Sequence, residues 1–322
     1  MPCSVLGIIN LLLNGKIEWP AGKRFAFTIF DDPDSQTFEA GREVYALLRD
    51  LGFRTTKAVW PIRGNRQPSD HGITCADDPA YCDWLIRLED AGFEIGHHNA
   101  TPHTSNREET ITGLNRFVEL FGHNPESMAH HYFCDENLYW GDCRLSGLHR
   151  AIYNVLTRWH NHDRFFGHVE GHPYFWGDVC RERVRYVRNF VFANINTLAA
   201  CPWMPYHDPA RPYVNYWFAS SDGSNIESFL KCVNEQNQDR LEADGGGCIM
   251  YTHFGHGYVS KEGKLDSRFR RAMERLAEKS GWFVPVKTML DLLRQRNTQF
   301  SDADRRRLER RWLLHKVRSG TA

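Results

Sequence analysis

The chain has 322 residues, enough for one large α/β barrel or two smaller domains. Its 40 basic and 40 acidic side chains cancel, which speaks against a nucleic-acid groove or a polybasic membrane surface. At 41% apolar and 13% aromatic residues it has too much core material for a disordered chain. The nine cysteines are scattered, without a CxxC pair or a zinc-knuckle spacing, and read as reduced thiols in a cytoplasm.

The opening run Val5 to Leu13 is apolar but lacks a basic start and a small-residue cleavage site. It is shorter than the ~20 residues of a membrane span. We read it as a buried terminal element, or a surface anchor, within an N-terminal extension over 1–23. Arg24 to Asp34, RFAFTIFDDPD, then reads as a strand covered on both faces that ends in acid around Pro33. Three carboxylates in four residues repel one another; solvation in a turn offsets this, and so does a bound cation. Val44, Leu47, Leu48 and Leu51 recur at helical spacing before Gly52. Arg54 to Trp60 is rich in β-formers and stops at Pro61. A long polar loop follows to Asp78, then a helix from Pro79 to Gly92.

Phe93 to Gly96 is a short third strand running into His97 and His98. Ser105 and Glu108 have capping-box spacing and open a helix that ends at Gly122. Strand and helix thus alternate, as in βαβ units around a parallel sheet. The middle is less regular. A fourth strand is expected within Glu126 to His131, a helix within Arg144 to His160, and loop around Tyr174 to Gly177. Arg188 to Asn196 and Tyr216 to Ser220 read as strands, and Asn225 to Glu242 as a helix. The pattern then clears: strand Cys248 to His253, helix Asp266 to Lys279, strand Trp282 to Val286, helix Thr288 to Arg296. The tail, about 301–318, begins with acids and ends with bases, as suits a helix dipole, and reads as an amphipathic surface helix whose basic cluster could contact a partner or a second copy in an oligomer. No internal repeat or linker divides the chain, so 1–322 is expected to be a single barrel domain.

Three strands end in metal-binding or acid–base residues: Asp31 and Asp32, then His97 and His98, then His253 with His256 beyond. In a parallel barrel all strand C-termini open on one face, so these residues share a mouth. Two imidazoles and a carboxylate suit a first-row divalent ion, and His98 and His103 flank a short loop. Such an ion activates water and polarises a carbonyl, while a carboxylate and a histidine move protons. That is a toolkit for amide or ester hydrolysis.

On FTIFDD, EIGHHNATPH, CIMYTHF and GWFVPVKTMLDLL, the sequence resembles the polysaccharide deacetylase family of metal-dependent carbohydrate esterases. The resemblance implies a distorted (β/α) barrel of about seven strands that removes N-acetyl groups from amino sugars. It implies Asp31 as catalytic base, His253 as acid, and Asp32, His98 and His103 as ligands of one divalent ion. Zinc is the first choice, with nickel, cobalt or manganese as alternatives. His97, His131, Trp140 and His256 are expected to line the pocket. The family spaces its two metal histidines four apart, whereas His98 and His103 are five apart. The loop is therefore one residue longer, or another residue such as His97 serves. The family also has an arginine that orients the base; after the third helix there is none before Arg144, which leaves the role to His130, His131 or another arrangement.

Other patterns carry less. HVEGH is not HExxH, and Gly171 works against a helix there. Gly245-Gly246-Gly247 lacks the Gly-Lys-Ser/Thr of a phosphate loop, and no serine sits in a GxSxG elbow. The functional expectation is a cytoplasmic deacetylase of an amino sugar or polysaccharide precursor, without nucleic-acid partner or membrane span. The alternatives are a non-catalytic sugar-binding relative, using Tyr132, Tyr139, Trp140, Tyr174 and Trp176, and a hydrolase of another small amide.

Overall fold

The computed structural model describes residues 12–13, 16–68 and 71–319. The apolar run from Val5 falls almost wholly outside them; Leu12–Leu13 pairs with Lys16–Ile17 as a short antiparallel ladder. Seven parallel strands form a closed ring: β1 (Phe25–Asp32), β2 (Thr56–Val59), β3 (Glu94–His97), β4 (Ser127–Met128), β5 (Tyr186–Phe192), β6 (Tyr216–Gly223) and β7 (Gly247–His253). Pairing of β7 back onto β1, from Ala26↔Gly247 to Asp32↔His253, closes it. A further short strand, β8 (Gly281–Trp282), pairs with the start of β1. The expected (β/α) barrel is therefore what the strand pairing builds.

Helices α1 (Phe38–Asp50), α2 (Pro79–Asp90) and α3 (Arg107–Phe121) connect the first strands. Asp78 caps α2, with Pro79 in its first turn. The capping box of α3 is formed by Asn106 and Glu109, one residue later than Ser105 and Glu108, because Ser105 turns inward to the hydroxyl of Thr101. Between β4 and β5 the chain makes a long excursion holding α4 (Gly147–Leu156) and α5 (Gly177–Arg183). The region of α5 reads as loop in the sequence because only Gly177 and Cys180 of that helix are buried, too few for an apolar period. After α6 (Thr197–Ala200), the single helix expected over 225–242 is two, α7 (Ile226–Cys232) and α8 (Glu235–Asp244). Asn234 breaks the run by capping α8 with its side chain. Helices α9 (Ser267–Ala277), α10 (Val286–Arg294) and α11 (Asp302–Ser319) complete the chain, and α10 begins where the sequence suggested strand.

The two faces of each strand enter different cores. On β1, Phe25, Phe27 and Ile29 pack outward against α1 and its neighbours, while Ala26 and Phe30 point into the barrel. The same alternation puts Ile95 of β3 and Met250 of β7 outside and Ile249 inside. At the base of the barrel Glu94 accepts hydrogen bonds from Thr56 (2.6 Å) and Ser127 (2.7 Å) and from the N–H of Lys287 (2.9 Å). The first turn of α10 therefore satisfies its free donors on the barrel floor.

The tail is not simply a surface helix. Leu308, Glu309, Trp312 and Leu313 of α11 are buried. Trp312 packs on Phe190 of β5 (centroids 5.0 Å apart) and on Tyr153 of α4 (5.8 Å). Buried Glu309 accepts from Ser146 (2.9 Å) and bonds the ring of His149 (2.9 Å). α11 thus clamps the excursion onto the barrel. Trp312→Ala is expected to lower stability by about 3–5 kcal/mol in urea unfolding, as truncation of a large buried aromatic does; a loss below about 1 kcal/mol would show that α11 does not hold the excursion.

Candidate metal centre at the barrel mouth

Strand alternation decides which side chains meet at the mouth. Asp31 points outward into the helix layer, and Asp32 points into the barrel. Asp31 accepts hydrogen bonds from Gln36 (3.1 Å), Tyr45 (3.2 Å) and the N–H of Phe254 (2.9 Å), and pairs with Lys57 at 3.3 Å. Burial pushes its carboxyl above the usual range, with Lys57 opposing. Both of its oxygens are thus engaged, and none of its contacts lies in the mouth. Asp32 is gripped by the two terminal nitrogens of Arg188, at 2.6 and 3.2 Å. Arg188 stacks on Tyr251, 4.2 Å from its ring centroid, and sits beside a register shift in β5. It holds a carboxylate at the mouth, as the arginine missing after α3 would do. An arginine within a mostly apolar strand was its only sequence signal.

Asp34, on the turn after β1, lies at the centre. Its two oxygens are 3.1 Å from Nδ1 of His131 and 3.2 Å from Nε2 of His98, and these two nitrogens are 3.2 Å apart. Burial pushes the Asp34 carboxyl up, but the two imidazoles overcome this and hold it well below the usual range. Burial keeps His98 toward its neutral form, which metal ligation requires. Nδ1 of His98 faces Asp32 at 3.5 Å, the position of a carboxylate that orients a ligating histidine. Trp60 walls the group, with centroids 5.8 Å from His98 and 5.1 Å from His131. Asp34, His98 and His131 could together hold a metal ion, as could Asp32, Asp34 and His253.

His253 approaches from β7, its Nε2 3.7 Å from Asp34 and 3.9 Å from Asp32. Its Nδ1 is 2.7 Å from the carbonyl of Ser224, so Nδ1 carries a proton and Nε2 faces the mouth. His253, His256, Trp140, Tyr132, Arg144 and Lys316 line a cleft of about 540 Å³ that reaches Asp34.

Not every expected residue joins this group. His97 turns outward against Phe117, burial drives its pKa to about 3, and neither ring nitrogen finds a hydrogen-bond partner. His103 lies apart: its Nδ1 bonds the carbonyl of Thr104 (2.8 Å) and its Nε2 accepts from the N–H of Arg66 (3.3 Å). Both nitrogens are therefore used to pin the loop around Gly64. His131, expected as a pocket residue, stands beside Asp34 and His98. The sequence set also lacked Asp34, whose DDPD context fits a turn equally well. A third group, Asp142, His162 and Asp163, is already bridged by Arg150 at 2.8 and 3.2 Å.

A buried network fixes the loops that carry His98 and His131 to one another. Asn99 (φ 57°) donates to Glu136 and to Asn137, both at 2.8 Å. Its oxygen accepts from the N–H of His131 (3.3 Å), and Asn137 donates to the carbonyl of His131 (2.7 Å). Burial raises the Glu136 carboxyl to about 8.

No family model and no curated protein matches the sequence. Among solved structures the chain is similar to PuuE allantoinase, at 13% identity and a TM-score of 0.46 over 90% of this chain and 97% of that one. It is similar to a Bordetella bronchiseptica protein described as a polysaccharide deacetylase involved in O-antigen biosynthesis, at 15% identity and a TM-score of 0.36 over 91% and 93%. A variant of the peptidoglycan deacetylase PdaC from Bacillus subtilis matches at 13% identity and a TM-score of 0.39 over 90% and 97%.

The Glu136 network yields a pH prediction. Its folded pKa, about 8, lies above the ordinary glutamate value of 4.5, so the folded state binds the extra proton. Stability should fall as pH rises through that window. Glu136→Gln should melt higher than wild type at pH 8, with the gap closing toward about pH 5. A gap that is constant with pH would show that Glu136 is not protonated in the fold.

Proposed function

We propose that this chain is a metal-dependent hydrolase that removes an N-acetyl group from an amino sugar, with Asp34, His98 and His131 as the protein ligands. The observation that carries the reading is the buried cluster in which the two oxygens of Asp34 lie 3.1 and 3.2 Å from one nitrogen each of His131 and His98, those nitrogens being 3.2 Å apart. A tetrahedral zinc with bonds of about 2.0 Å sets neighbouring ligand atoms about 3.3 Å apart. Three protein ligands leave a further position for water and substrate, as in catalytic sites. The donor set also suits nickel, cobalt or manganese. Bound there, the ion would lower the pKa of water and polarise the amide carbonyl.

The chain's own residues account for the protons. Asp32, oriented by the Arg188 fork, takes the proton of the attacking water. His253, its Nδ1–H held by the Ser224 carbonyl, acts from its imidazolium form: the proton on Nε2 passes to the departing amine as the C–N bond breaks, leaving the neutral ring. In this reading Asp31 is a positioning residue rather than the base, because it turns into the helix layer, where it bonds Gln36, Tyr45, Lys57 and Phe254, away from the mouth that Asp32 faces. The sequence resemblance to polysaccharide deacetylases supports the amino-sugar substrate, and the aromatics Tyr132 and Trp140 give the cleft surfaces on which a sugar ring packs.

Localisation in the cytoplasm belongs to the same reading. The eight described cysteines are free thiols, as suits a reducing compartment. Among the described residues no helix is long and apolar enough to cross a membrane.

Acetate release from N-acetylated sugars by the zinc-loaded protein tests the proposal. Asp32→Asn should cost at least about a hundredfold in kcat while zinc stays bound. Asp31→Asn should lower the melting temperature, with kcat falling by less than about tenfold. An inactive Asp31→Asn protein beside an active Asp32→Asn protein would return the base to Asp31. Turnover unaffected by chelation would overturn the metal-dependent reading.

A further inference from the structure

We propose that Arg144, with Lys316 near it, forms an oxyanion subsite in the cleft, so that the substrate carries a carboxylate or phosphate away from the scissile amide. The inference rests on the hydrolase reading for the position of that amide, but the subsite itself stands on different residues.

Arg144 lies on the short 3₁₀ turn Gly141–Arg144 of the excursion and lines the same cleft as Asp34 and His253. It is only 4% exposed. Its guanidinium carbon sits 3.3 Å from the ring centroid of Trp140 and 5.6 Å from that of Trp312. Its Nε has no hydrogen-bond partner, and no described carboxylate pairs with it. A buried guanidinium without a counter-ion is costly, and stacking on tryptophan offsets only part of that cost. Burial lowers its pKa to about 10, which leaves it cationic at neutral pH.

The other charges at the mouth are accounted for. Arg188 is held by Asp32. Of the two carboxylates lining the cleft, Asp34 is held by His98 and His131, while Asp222 accepts from the N–H of Ser224 (3.2 Å). Lys316 lies on the same wall, its ammonium 5.4 Å from the ring centroid of Trp312, and burial together with Arg144 lowers its pKa to about 8. One end of the cleft is thus a metal centre and another wall is cationic. A planar fork set on a rigid indole recognises a carboxylate or phosphate bidentately. A neutral sugar would leave that fork unsatisfied.

The test compares N-acetylglucosamine, N-acetylglucosamine 6-phosphate and N-acetylmuramic acid with the zinc-loaded protein, by calorimetric binding and by kcat/KM for acetate release. At least one anionic sugar should exceed the neutral one by about tenfold. Whichever anion gains more identifies phosphate or carboxylate as the group. Arg144→Gln should collapse the difference, and Arg144→Lys should restore part of it. Equal handling of neutral and anionic sugars by wild type overturns the subsite, whether or not Arg144→Gln folds. So does an anionic preference that survives a folded Arg144→Gln protein, which would leave Arg144 a pillar between tryptophans. Hydrolysis of all three sugars at equal rates would sink the subsite and keep the hydrolase. Arg144-dependent binding of an anionic sugar with no acetate ever released would keep the subsite and sink the hydrolase.

Discussion

Adjacent residues on a strand face opposite ways, and at the end of β1 this separates two aspartates into different environments. Asp31 enters the helix layer and is neutralised by Lys57; Asp32 enters the barrel and is neutralised by Arg188. Asp34, two residues on, returns to the inner side by way of the turn and meets only imidazoles. Burying a carboxylate without a full counter-charge costs several kcal/mol. Two of the three acids have a protein cation, and the third is left with partners that are neutral when they ligate. The site therefore lacks about one positive charge, which the divalent ion of the proposed function would supply.

The same alternation governs the other strand ends. His98 and His253 face the mouth, whereas His97 turns to Phe117. The excursion between β4 and β5 then contributes what short loops cannot. It supplies His131, Trp140 and Arg144, and α11 holds it against the barrel through Trp312 and Glu309. The asparagine network around Asn99 ties His98 and His131 into one rigid unit, so the ligand geometry depends on residues that no metal would touch.

Much of this was legible from the chain. Strand and helix alternation predicted the barrel, and acids and histidines at three strand ends predicted the mouth. The inner and outer aspartate could not be told apart, because β1 is apolar on both faces and shows no period of two. His103 looked like a ligand because it stands near His98 in sequence, yet its ring is spent on backbone groups of two loops. His131 and Arg188 reach the site through long-range pairing of β4 and β5, which local spacing does not encode. The tail read as a surface helix because its apolar stripe is narrow and surrounded by arginines.

The central claim is that the ion is held by Asp34, His98 and His131. Mass-spectrometric metal content of wild type, His131→Ala and His103→Ala tests it most directly. The account predicts about one zinc or similar ion per chain in wild type and in His103→Ala, and loss of the ion in His131→Ala. Retention in His131→Ala with loss in His103→Ala would contradict it and return the second histidine ligand to the loop after β3.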